Sequence, residues 1–311
     1  MMQKNIDYLD YETTFQSCFV KDYWNQKPCI IRGCVSQWSA KTWDFPHLKK
    51  IPHKGADRGN LNKVQIRDPQ TEIWQKCQPN HLPQIRKKLN INTLEYQADE
   101  WLFPLTHPEM LEEIKIPSCL QNPQWLNMIP LPLRPIYPRI LIGYADTGSQ
   151  LHIDVCMTPN WIGLVKGVKR WFVVDPQEGQ KLEYYLDEFT PNTSELKEKV
   201  DVYYEFDLQA GEIVYLPGKW LHQVYNVSDS IAITYNLFNP IQATAYGFDS
   251  IIYNFENNLE KHKSRLNKKQ KATVNGQLSQ LSQLNFLLDS SLFSSFSRLK
   301  ITKANAVSEA D

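Results

Sequence analysis

No CxxC pair occurs in the 311 residues, and none of the six cysteines stands near a histidine at zinc-finger spacing. That excludes the common structural zinc sites and offers no disulfide framework. Scattered thiols of this kind point to a reducing compartment. No apolar stretch approaches the roughly eighteen residues of a membrane span. The start, MMQKNIDYLDYETTF, lacks the apolar run of a secretion signal. Neither sign of charge dominates: 34 basic and 34 acidic residues cancel. The overall charge therefore gives no pull toward nucleic acid or membrane. Internal repeats are absent too. The expectation is a soluble intracellular protein, cytoplasmic or nuclear.

What is present is a core. Hydrophobic residues make up 42% and aromatics 12%, with nine Trp and fifteen Tyr, which argues against wholesale disorder. Residues 1–27 read as a polar helical start. KPCIIRG (27–33) reads as a short strand entered from Pro28 and closed by Gly33, with Trp38 and Trp43 behind it as packing anchors. Residues 104–138 carry eight prolines, too many for long helices, with PEMLEEIKI as one short helix. After Pro138 the texture changes. RILIGYA, QLHIDV, WIGLVKG, KRWFVVD, VYYEFDL, EIVYLP, HQVYNV and IAITYNLF follow one another, β-branched or aromatic and punctuated by turn residues. Short strands at even spacing predict a β-sandwich or barrel. No helical segments alternate with them, which disfavours a parallel βαβ sheet. Beyond Pro240, KHKSRLNKKQK (261–271) is basic. Leu278, Leu281, Leu284, Leu287, Leu288 and Leu292 then recur at helical steps. Such a helix allows a homodimer or packing on its own barrel. Residues 300–311 read as a frayed tail.

LHIDVCMTPNWIGLVKGVKRWFVV (151–174) holds the chemistry. His152 and Asp154, two apart on a strand, point to one face, as metal ligands must. Among the seven histidines, His222 stands out, at the start of HQVYNV after the turn-rich GEIVYLPGKWL. Two histidines and a carboxylate on one face form the facial triad of non-haem Fe(II) oxygenases. Zinc or manganese fits the same ligands, and HxD alone also suits a turn aspartate beside a satisfied core histidine. Strand alternation puts Lys169, Trp171 and Val173 on one face and Val168, Arg170 and Phe172 on the other. An inward lysine needs an anion, for which a dicarboxylate ligand would serve. The plain alternative is a lysine in water with only Trp171 packed.

GSQLHIDVCMTPNWIGLVKGVKRWFVVDP and GEIVYLPGKWLHQVYNVSDSIAITYN resemble the Jumonji-C family of Fe(II)- and 2-oxoglutarate-dependent oxygenases, in its small hydroxylase branch. The resemblance is dense over 139–240 and weaker upstream to KPCIIRG. It implies a mainly β fold: a double-stranded β-helix (jelly-roll, cupin-like) core at 139–240, a helical and stranded flank at 1–138, and a helical C-terminal region at 241–311. His152, Asp154 and His222 would bind Fe(II). Lys169 and Ser149 would hold the distal carboxylate of 2-oxoglutarate, with Asn236 and Thr234 near the cosubstrate and O₂ as co-reactant. Two positions depart from the pattern. Ile162 stands where relatives carry an asparagine, and Trp101 is the best counterpart of a cosubstrate-binding tyrosine.

The implied activity is a dioxygenase that hydroxylates a protein or peptide side chain, lysine being slightly favoured. The alternative is N-methyl-lysine or N-methyl-arginine demethylation of a histone-like substrate. Hydroxylation of an RNA base, supported only by the 261–271 basic run, and a non-catalytic binding module are further readings.

Overall fold

The structure is a computed structural model, and it describes residues 2–51, 64–67, 74–77, 81–89, 94–97, 99–101, 103–105, 107–122, 138–154, 157–186 and 192–237. Met1–Gln124 and Ile136–Phe238 form one compact unit. The expected C-terminal helix, its dimer contact and the basic run lie outside the described residues.

Strands come first in the chain. β1 (Met2–Lys4) and β2 (Asp7–Asp10) precede a helix at Gln16–Asp22, and β3 (Cys29–Arg32) follows it. The polar helical start is therefore corrected in its first part: Met2–Lys4 and Asp7–Asp10 are strands. The reason is tertiary. β1 pairs in parallel with the edge of one sheet and β2 with the edge of the other, so residues 2–10 cover backbone groups that would otherwise template association. Next come β4 (Val64–Arg67), β5 (Trp74–Cys77), β6 (Leu94–Gln97) and β7 (Asp99–Trp101). PEMLEE forms the expected short helix, a 3₁₀ turn at Pro108–Glu113.

The even run of short strands after Pro138 is present: β8 (Arg139–Gly143), β9 (Thr147–His152), β10 (Asn160–Lys166) and β11 (Val168–Val174), then β12 (Val202–Gln209), β13 (Ile213–Leu216), β14 (Leu221–Asn226) and β15 (Ser230–Asn236). They join two mixed sheets. The first runs β1-β12-β11-β14-β9-β6-β4-β5 and the second β2-β3-β13-β10-β15-β8-β7. Gly167 makes the β10–β11 turn with φ of 89°, and a Cβ there would collide with the Asp229 carbonyl. Glycine alone meets both demands.

Alternation decides what the sheets share. Trp171, Val173, Tyr204, Phe206, Leu208 and Val224 of the first sheet meet Ile162, Leu164, Val214, Leu216 and Ala232 of the second in one apolar cluster. Burial of each Val, Leu or Ile in it stabilises the fold by about 1.5–3 kcal/mol. The outer face of the first sheet buries Leu151, Phe172, Val174 and Leu221 under Leu182 and Leu196. Outside the second sheet lies Trp38, edge-on to Trp161 at 6.0 Å. Trp38 and Trp43 are buried anchors, as expected, and their indole N–H groups donate to the Lys115 carbonyl and to Glu113.

Candidate metal centre

β9 ends on His152, and β14 places His222 directly opposite it. The register slips between His222 and Val224, so that Val224 faces Ser149. This bulge puts one extra residue in β9. As a result Ser149, three residues before His152, shares the inner face with it, which strict alternation would forbid. Asp154 follows in the loop, whose first turn closes by a bond from the Met157 N–H to the Asp154 carbonyl, 2.9 Å. Ligand atoms of His152, Asp154 and His222 all lie within 4.8 Å of one another.

The histidine tautomers follow from their partners. His152 Nδ1 is 2.7 Å from the Gln150 carbonyl, and His222 Nδ1 is 3.1 Å from the Trp220 carbonyl. A carbonyl only accepts, so both Nδ1 atoms carry the proton and both Nε2 lone pairs are left for a metal. Burial, and then the neighbouring His152, hold His222 well below the ordinary histidine range, while Asp154 pulls the other way. A neutral imidazole is the form a metal takes. Trp171 lies against His222, ring centroids 5.6 Å apart.

Lys169 is the second focus. Its side chain is buried, and burial lowers its pKa from 10.5 to about 8. Among the described residues its partner is neutral: Nζ donates to Asn226 Oδ1 at 2.5 Å. Val173 pairs with His222, while Lys169 pairs with Asn226, four residues along the same strands. At roughly 3.3 Å per residue, about 13 Å of strand separates the two levels. A lysine side chain and a five-carbon dicarboxylate together span that distance. Between them sits Trp171, fully buried, whose Nε1 has no hydrogen-bond partner among the described residues. A buried donor without an acceptor costs about 1–3 kcal/mol. Among the described residues, the wall from the triad to Lys169 thus holds one charge without a counter-charge and one donor without an acceptor. Three ligands of the right kind and an uncompensated ammonium fit a divalent metal with an acidic cosubstrate.

The second sheet contributes differently. Thr234 pairs with Ile162 and Asn236 with Asn160, so both expected residues face the interior, from the opposite wall to Lys169. Asn236 Oδ1 accepts from Arg139 at 2.7 Å, and its Nδ2 donates to Thr158 at 3.1 Å. The Thr234 hydroxyl lies 3.1 Å from Asn160 Oδ1. Ile162 is buried in the apolar cluster, and the nearest amide on its face is Asn160, one pleat away. Trp101 pairs with Ile140, whose neighbours Arg139 and Leu141 oppose the inward Thr234 and Ala232. Trp101 therefore faces outward, where it meets Phe103 and His107. It is not the counterpart of an interior tyrosine. Arg170 also faces out, paired with Asp207 at 2.8 and 2.9 Å.

Sequence reasoning passed over Asn226, Thr147 and the open donor of Trp171. The signal for Asn226 was available: in HQVYN it falls four residues after His222, on the same strand face.

The cupin-like domain family matches residues 13–242, and the chain belongs to that family. Relatives among known proteins carry the names of iron- and 2-oxoglutarate-dependent oxygenases and of demethylases. A 2-oxoglutarate and iron-dependent oxygenase, JMJD4 of Gallus gallus, is 31% identical over 271 residues, 76% of this chain and 61% of that protein. The arginine-specific demethylase JMJ22 of Arabidopsis thaliana is 32% identical over 234 residues, 68% of this chain and 41% of that protein. The lysine-specific demethylase JMJ21 of Arabidopsis thaliana is 25% identical over 246 residues, 71% and 24% respectively. The chain spans less than two thirds of the length of each. Among the described residues no helix is long and apolar enough to cross a membrane.

Proposed function

We propose that the chain is an Fe(II)- and 2-oxoglutarate-dependent oxygenase that hydroxylates a protein side chain, with lysine the favoured target. The observation that carries this reading is the pairing of a His152–Asp154–His222 cluster with a buried, uncompensated Lys169 about 13 Å along the same strands. Strands β8–β15, ordered β12-β11-β14-β9 and β13-β10-β15-β8, support a double-stranded β-helix over 139–240 as the catalytic core, with 1–138 as its flank.

His152, Asp154 and His222 would hold the iron through Nε2, a carboxylate oxygen and Nε2. Lys169 would pair with the distal carboxylate of 2-oxoglutarate, and Ser149, on the same inner face, would donate to it. Thr234 and Asn236 would border the 2-oxo acid end from the opposite wall. Iron held by these residues would supply the redox chemistry by which O₂ and the 2-oxo acid yield succinate, CO₂ and a hydroxylated substrate C–H bond. The apolar cluster around Trp171, Val173 and Ile162 keeps water from this space. No acid–base pair is required of the chain.

The test is conversion of 2-oxoglutarate to succinate with Fe(II), read against a peptide library. His152→Ala should abolish it, and turnover surviving that change would overturn the iron assignment. The names of the Arabidopsis thaliana relatives favour N-methyl demethylation as the second reading. Formaldehyde release from methylated peptides, without a stable +16 Da product on unmethylated ones, would select it.

A further inference from the structure

Lys169 meets an amide where a buried ammonium ordinarily meets a carboxylate. Asn226 sits on β14 between its neighbours, level with Lys169 of β11 and Thr147 of β9. The orientation of its carboxamide is fixed by a chain of donors. Thr147 Oγ1 spends its proton on the Tyr144 carbonyl at 2.5 Å, so it can only accept from Asn226 Nδ2, at 2.9 Å. That turns Oδ1 toward Lys169 Nζ, with Ser230 Oγ also donating to it at 3.3 Å. Gly143 closes the remaining side: a Cβ there would overlap the Asn226 carboxamide. All of these groups are buried apart from Tyr144, whose backbone carbonyl is the one involved.

We infer that Asn226 is a positioning residue that aims Lys169 at the distal carboxylate of the cosubstrate while leaving its charge uncancelled. The inference rests on the cosubstrate reading given above. A carboxylate at this position would form an internal ion pair, and the ammonium would have no further use for an external anion. An amide oxygen takes one of the three Nζ hydrogens and carries no net charge. Two hydrogens and the full positive charge remain for the ligand. The neutral partner is thus what makes the site a receptor for a second carboxylate.

The test compares two ligands on the metal-loaded protein, with Mn(II) replacing Fe(II) so that no turnover occurs. One is 2-oxoglutarate. The other is 2-oxobutyrate, which offers the same metal-binding end but no distal carboxylate. Asn226→Asp, near-isosteric, should weaken 2-oxoglutarate binding by at least about 30-fold, as disabling one member of a buried charge pair does. Binding of 2-oxobutyrate and of Mn(II) should stay within about threefold, well inside the effect of disturbing a group that supports a metal ligand. Equal weakening of both 2-oxo acids would mean a merely structural role and would overturn the inference. Wild-type affinity for 2-oxoglutarate in Asn226→Asp would do so as well. Should Asn226→Asp not fold, Thr147→Val serves: it releases the carboxamide to flip, and the same selective loss should appear. Lys169→Met separates the two levels of argument. If wild type and Lys169→Met bind 2-oxoglutarate equally, the cosubstrate reading itself fails. If Lys169→Met loses binding and Asn226→Asp does not, only the role of Asn226 fails.

Discussion

The facing sides of the two sheets treat several buried polar groups differently. On the first sheet, among the described residues, Lys169 has a neutral partner, Trp171 Nε1 has none, and two histidine Nε2 atoms are left without hydrogens. On the second sheet, Thr234, Asn160, Asn236 and Thr158 are hydrogen-bonded among themselves and to Arg139. Both faces are buried and both border the same apolar cluster. Among the side chains just named, the difference lies in the partners that the described residues supply. A buried polar group that satisfies its neighbours supports the wall, whereas one that cannot be satisfied from within costs stability and gains it back only from a ligand.

Breaking the first face at the triad should have the largest effect. Asp154→Ala is expected to reduce metal binding and succinate formation to background while the folded state persists, checked by Mn(II) titration alongside thermal melts.

Lys169 gives the next largest, and its sign depends on pH. The unfolded chain keeps the lysine proton to pH 10.5, whereas the folded chain releases it near 8. Between those values the unfolded state binds more protons, so wild-type stability gains from this group as pH rises. At about 1.36 kcal/mol per unit the gain totals about 3 kcal/mol. Lys169→Met should therefore be more stable than wild type below pH 8, by about that amount, and the gap should close toward pH 10.5. Denaturant melts of both proteins across that range, without ligand, read the difference. A constant gap would show that the lysine is not held as a buried cation.

The second face should behave in the reverse sense. Thr234→Val leaves Asn160 Oδ1 without its donor and is expected to cost about 1–3 kcal/mol of stability. Mn(II) affinity should change less than thermal stability does. Smallest of all is Arg170→Ala, next in sequence to Lys169 and on the opposite side of the strand. Its ion pair with Asp207 is half exposed, so the loss should be about 0–1 kcal/mol, with no change in cosubstrate binding.

The facial triad was legible because its parts follow period-two spacing and turn chemistry: His152 and Asp154 two apart, and His222 at a strand start. The sequence put Lys169 on one strand face with Trp171 and Val173 but left open whether that face meets water, and only the packing of the second sheet against it buries the lysine. Ser149 needed the β9 bulge to face inward, and a one-residue insertion in a strand leaves no mark in residue type. Trp101 misled because a large aromatic in a strand reads alike on either face, and its register against Ile140 decides which. Residues 2–10 misled because polar strands at sheet edges carry little hydrophobic alternation.

The sequence by itself determined that the chain builds short strands after Pro138 and that two histidines, an aspartate and Lys169 lie on or directly beside them, since strand periodicity is a local property. Only the tertiary structure decided that His152 and His222 stand opposite each other, that Lys169 meets Asn226 in place of an acid, and that Asn236 and Thr234 are already bonded across the second sheet. Those facts depend on register between strands whose contacting residues are up to 97 apart in sequence, and register is set by the packing of whole faces rather than by any one segment.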